Sequence, residues 1–146
     1  MRPMNEQATL DARFRTMVTL WFALLMSVAM FFLLAFLAGR GEEVRENQVL
    51  SISFAAVGTL AVIASRFVNK RFLTQSIDKQ EVGLVQTGMI AACALCEVAA
   101  MLGLTDHFLT GNRYFYVPMI ISVIGMLLNF PRRDHLLAAT YKNRLE

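Results

Sequence analysis

Charge is the first thing this sequence is short of. Asp, Glu, Lys and Arg make up 17% of the 146 residues, against about 25% in ordinary soluble domains. The charges that exist are grouped at the ends of apolar runs, which argues against a water-facing globule. Histidine and cysteine are scarce as well, two of each. Cys93 and Cys96 form a CxxC inside an apolar stretch. On one helix a disulfide between them would be strained, and a thioredoxin-like reading needs a βαβ context that is missing. Zinc would need further Cys or His ligands, and His107 and His135 both fall at helix ends. The chain also lacks a Ser/His/Asp set, a phosphate-binding glycine loop and an acidic metal motif. His107 beside Asp106 and His135 beside Asp134 read as solvated caps. The expectation is a protein with no catalytic residues, no metal site and no cofactor.

What is abundant is hydrocarbon: 56% of residues are hydrophobic and the mean hydropathy is +0.50. Apolar runs of this density point to membrane helices. The net charge of +3 and the pI near 9.2 sit at helix ends, where they fit topology and anionic headgroups rather than nucleic acid.

In chain order, residues 1–15 are polar. Leu10, Phe14 and Met17 recur at helical spacing, so this lead-in is expected along a membrane surface. The first span is placed at 16–38, with Trp21 near its cytoplasmic headgroup boundary, and is read as retained rather than cleaved. A short acidic loop, GRGEEVREN, leads to a second span at about 47–65. Ser51, Ser53, Gly58 and Thr59 suit that span to packing inside the protein. The segment 66–81, RFVNKRFLTQSIDKQE, reads as a basic connector. The third span is 82–105, a turn follows at Gly111-Asn112, and the fourth span is 114–130 with Pro118 near its start. The tail, 131–146, reads as a cytoplasmic amphipathic helix opened by Pro131. No internal repeat is visible.

Basic residues are unevenly shared: three precede the first span, four lie in the second connector and four in the tail, against two and one in the remaining loops. By the positive-inside rule both termini are cytoplasmic. The expected fold is all-α: one domain, a four-helix transmembrane bundle, N-in/C-in, in a bacterial-type cytoplasmic (inner) membrane.

The third span carries the chemistry. A helix over 82–105 is about 36 Å long, enough to cross a hydrocarbon core of about 30 Å. Its one charged side chain is Glu97, and a carboxylate at that depth is costly unless paired, protonated or open to a cavity. Around the helix, Ala92, Ala99 and Gly103 lie within about 60° of Gly88, a stripe of small residues suited to close helix packing. Glu97 and Gln86 lie on the other side, about 160–180° away. Two readings of Glu97 stand: a carrier of a proton or cation, or a neutral carboxyl hydrogen-bonded between helices. Counting depth from Thr105 places Ser122 and Ser53 at its level, and Glu97 is expected to point inward toward one of them.

ALCEVAAMLGL, residues 94–104, resembles the carboxylate-bearing helix of rotary ATPase proteolipid (c) subunits, in which an Ala-rich helix presents a Glu and a Gly-Leu follows. The hairpin of spans two and three resembles theirs too, although span two carries Gly58 where those subunits repeat glycine, and two further spans flank it. The resemblance implies that Glu97 is an ion-carrying carboxylate with Gln86 as a supporting ligand. The residues by themselves point first to a small non-enzymatic membrane protein, a structural or accessory subunit. Its expected partners are the lipid bilayer and other membrane subunits or further copies of itself, with no nucleic acid.

Overall fold

The computed structural model describes residues 3–38, 47–111 and 113–141. They form five helices: α1 (Pro3–Ala38), α2 (Gln48–Lys79), α3 (Val82–Thr110), α4 (Tyr116–Leu128) and α5 (Arg133–Tyr141). No strand occurs among the described residues. Three helices, over Thr9–Ala38, Gln48–Lys79 and Val82–Thr110, are long and apolar enough to cross a membrane, and α4 is a shorter apolar helix.

Two expected boundaries dissolve into longer helices. The polar lead-in is not a separate segment: α1 runs unbroken for 36 residues from Pro3. Proline is tolerated in a first turn, and nothing between it and Thr16 breaks a helix. Leu10 and Phe14 pack, half-buried, against the core. The basic connector is likewise helical, since α2 continues for 32 residues to Lys79. RFVNKRFLTQSIDK contains neither Gly nor Pro, so polarity alone suggested a loop there.

The real connection between α2 and α3 is Gln80-Glu81. Gln80 adopts a left-handed conformation, φ 54°, and its N–H caps α2 on the Ser76 carbonyl. The Ser76 hydroxyl donates to the Glu81 carbonyl at 2.7 Å, closing the turn with side chain as well as backbone. At the other end α3 extends to Thr110, past the expected Thr105, and stops at Gly111, whose φ of 61° suits glycine at a helix C-cap. The fourth apolar element is 13 residues long, about 20 Å, with turn at 113–115 and at Asn129 making up the rest of 114–130. The first loop (39–46), Asn112 and the chain end (142–146) lie outside the described residues. Asn47 caps α2 by accepting from the Leu50 N–H at 3.3 Å.

α3 is the hub and packs against each of the other four helices. Toward its N-terminal half, Val85, Met89 and Cys93 meet Met17 and Trp21 of α1 and Leu136 of α5. Toward its C-terminal half, Cys96 and Ala100 meet Val28 and Ala35 of α1 and Met119 and Met126 of α4. Trp21 is turned inward rather than held at an outer boundary. It is 8% exposed, donates its indole N–H to the Met126 carbonyl at 2.9 Å and meets Phe130 edge-on at 5.0 Å.

Candidate functional site: polar ties around the third helix

The small stripe of α3 is filled from within the chain. A Cβ on Gly88 would stand 2.5 Å from Phe72 Cβ of α2, and one on Gly58 would stand 3.4 Å from Ala99. A Cβ on Gly103 would stand 2.9 Å from the Phe115 carbonyl, just ahead of α4. Ala92 and Ala99 are fully buried. So α2 and α4 both approach α3 along this stripe, as small residues permit.

Glu97 projects from the opposite side of α3, toward α1, and is half-buried. Its Oε1 accepts a hydrogen bond from the Ser27 hydroxyl of α1. The expected partners are engaged elsewhere. Ser122 is fully buried but donates to the Cys96 carbonyl at 2.6 Å, fastening α4 to α3. Ser53 is exposed and donates back to the Val49 carbonyl of its own helix at 2.9 Å. Gln86 does not join Glu97 either. The two share a face, but eleven residues of helix rise put them about 16 Å apart, beyond the reach of a common ligand.

Polar residues outside the expected set form two further clusters. At the end of α4, Asn129 is 2% exposed. Its amide donates to Ser65 Oγ at 3.2 Å and to the Gly125 carbonyl at 2.9 Å, while its Oδ1 accepts from Asn69 at 2.9 Å. Cys96 Sγ lies 3.4 Å from Ser65 Oγ, so the cluster joins α2, α3 and α4. Both cysteines are free and buried.

Near Gly111, Asp106 is 2% exposed, not a solvated cap. Its Oδ1 accepts from Ser51 of α2 at 2.7 Å and from Thr110 at 2.8 Å. A cleft of about 450 Å³ between α2 and α4, lined by Asn47, Ser51, Asp106 and Tyr114 among others, opens beside it. His107, also expected as a cap, is 6% exposed. Its ring packs on Phe115 at 4.3 Å, and neither ring nitrogen has a hydrogen-bond partner among the described residues.

Compared with known proteins, the chain matches no family model, no curated protein and no solved structure.

The geometry therefore has to speak for itself, and it consists of ties between helices. Among the described residues no three of His, Cys, Asp and Glu gather closely enough to hold a metal ion. The signal for the missed clusters was present but weak. Asp106 and Thr110 are one helical turn apart, and Ser51 and Ser65 are small polar residues in an apolar helix. Each becomes legible only once α3 is known to run to Thr110 and α2 to Lys79.

Proposed function

We propose that the chain is a multi-pass membrane protein of four spans with both ends cytoplasmic, serving as a non-enzymatic structural or accessory subunit, in which Glu97 ties α1 to α3. The observation that carries this reading is that Glu97 meets the Ser27 hydroxyl of a neighbouring helix, as Asp106, Ser122 and Asn129 also meet groups on adjacent helices. Membrane residence is supported by the row Phe22, Met26, Met30, Leu33 and Leu37 on α1, each between 45% and 71% exposed. Water would penalise such a contiguous apolar face, and lipid or a partner helix would not. Because the stripe of α3 is consumed inside the chain, partner subunits have the outward faces of α1 and α4 to pack on.

A second reading, ion handling of the proteolipid kind, is favoured by one feature. Glu97 faces away from α2 across a tightly packed hairpin, and α1 is what covers it.

Two substitutions separate the readings. Glu97→Gln keeps a hydrogen-bonding side chain and removes the ionisable group, whereas Glu97→Leu removes both. The structural reading expects the Gln variant to match the parent in thermal stability and in co-purifying partners. The Leu variant should lose about 1 kcal/mol, the scale of one interhelical hydrogen bond in a bilayer. A Gln variant as damaged as the Leu variant, with carbodiimide labelling of parental Glu97 that falls as pH rises, would replace the structural reading with the ion-handling one.

A further inference from the structure

Beside the Asn129 cluster lies a hollow of about 200 Å³ between the second half of α2 and the start of the C-terminal segment. Its charged lining is of one sign: Arg66 and Lys70 from α2 and Arg132 from the segment before α5, with His135 alongside. No acid lines it. Arg66 and Lys70 are four residues apart, so they project from the same side of the helix, and such like-charge neighbours repel unless something negative lies between them.

Among the described residues, an ion pair at this end joins Arg133 to Asp11, outside the hollow. Arg66 donates to the Leu128 carbonyl at the end of α4, which holds its guanidinium at the rim. Leu73, Leu128 and Phe130 supply an apolar wall beside the cations. Cationic and apolar lining together are complementary to a phosphate ester with acyl chains attached.

We infer that this hollow is a binding site for the phosphate headgroup of an anionic phospholipid, held by Lys70, Arg132 and Arg66. The inference rests on the membrane reading above, with this end of the bundle at the cytoplasmic interface, where anionic lipids and basic pockets meet. His135 is the titratable side chain bordering this hollow. Burial, and next the Arg132 guanidinium, hold its imidazole below the usual histidine range, with the exposed Asp134 on its own helix opposing them. A bound phosphate would oppose Arg132 directly.

The test uses the full chain, delipidated in a neutral detergent and titrated separately with dioctanoyl phosphatidylglycerol, dioctanoyl phosphatidylcholine and inorganic phosphate. Binding is read by native mass spectrometry and by the His135 resonance; with two histidines in the chain, selective labelling leaves two signals, and His135→Gln assigns them. Phosphatidylglycerol is expected to bind with one-to-one stoichiometry and to raise the His135 midpoint, and phosphatidylcholine is not.

Each cation near an anionic headgroup is worth about fivefold in affinity. Lys70→Gln with Arg132→Gln should therefore weaken phosphatidylglycerol by about 25-fold. Both side chains are exposed, and the buried Trp21 fluorescence reports that the variant remains folded. Equal binding of the two lipids, or phosphatidylglycerol binding unchanged in the double variant, would overturn the site. Inorganic phosphate binding as tightly as phosphatidylglycerol would overturn the lipid assignment, because the apolar wall would then contribute nothing. A chain that stays in solution without detergent would instead refute the membrane reading.

Discussion

One methyl group at Gly88 tests whether α2 and α3 are as tightly joined as the structure has them. An added Cβ would lie 2.5 Å from Phe72 Cβ and 3.2 Å from its Cγ, where unstrained carbons rest at about 3.5–4.0 Å. Phe72 Cβ is bonded to its own backbone, so no rotation of the side chain relieves the contact. The helices must part by about 1 Å next to the two-residue turn. Two terms oppose each other. Alanine is the better helix former by about 1 kcal/mol, and overpacking a fitted interface costs about 1–3 kcal/mol.

The clash should win at Gly88: an approach of 2.5 Å to a carbon that cannot rotate away belongs to the upper part of that range, about 2–3 kcal/mol, which leaves a net loss of about 1–2 kcal/mol after the propensity gain. For a chain of this length that is a fall of about 3–8 °C in apparent Tm, readable by a thermal scan of the detergent-solubilised protein. Gly83 provides the control on the same helix, because nothing lies within 4 Å of a Cβ there. Gly83→Ala should be neutral or stabilising by up to about 1 kcal/mol. If both variants raise Tm, the close approach of Phe72 is wrong and the stripe is not an interface.

Three further outcomes are expected. Asn129→Ala removes an amide that serves Ser65, Asn69 and the Gly125 carbonyl, leaving buried groups unpaired. It should cost about 2–3 kcal/mol in a denaturation assay, while Ser53→Ala, at an exposed self-bonded hydroxyl, should cost almost nothing. His135 is held below its ordinary range by burial and Arg132, so the unfolded chain takes up its proton first as pH falls. The stability His135 contributes is complete above about pH 6.5, the unfolded value, and declines as pH drops through that value toward the folded one. His135→Gln should flatten a Tm–pH curve in that window, and an unchanged curve would exonerate His135. Reporter fusions at Glu146 and in the first loop at Glu43 should give cytoplasmic and periplasmic signals respectively; a periplasmic C-terminus would end the positive-inside argument.

Much of the helical plan is legible in the sequence, for a physical reason. Apolar runs and their interruptions record which backbone can be buried, and the angular spacing of Gly88, Ala92, Ala99 and Gly103 records which side of α3 lacks bulk. Hydropathy does not record where a helix stops. The segment 66–81 reads as a basic connector, although α2 continues through it to Lys79, because charge signals exposure to water and not loss of backbone hydrogen bonding. That error of boundary propagated into the site. Depth counted from Thr105 points Glu97 at Ser122 and Ser53, but α3 ends at Thr110, about 7 Å further on, and the hydroxyl that meets Glu97 is that of Ser27. Asp106 and His107 read as solvated caps for the same reason, yet both are buried residues within a helix.

What decides the arrangement is the division of labour around α3. In a bilayer, as proposed here, lipid tails are as apolar as leucine, so burying hydrocarbon between helices contributes little to their association. Close packing at small residues and directional hydrogen bonds must supply it instead. α3 separates the two. Its small side receives α2 at Gly88 and Ala99 and the approach to α4 at Gly103, where dispersion acts over short distances. Hydrogen bonds then set the register: Ser51 with Asp106 near one end of the α2–α3 seam, Ser122 with the Cys96 carbonyl midway along α4, and Asn129 with Ser65 and Asn69 toward the other end. α1 has no glycine or alanine stripe to offer α3. It attaches through bulky side chains, the Trp21 indole on Met126 and the Ser27 hydroxyl on Glu97. A helix held by few directional contacts depends heavily on each one, and the bond from Ser27 to Glu97 is the one that reaches from α1 to a side chain of α3 among the described residues.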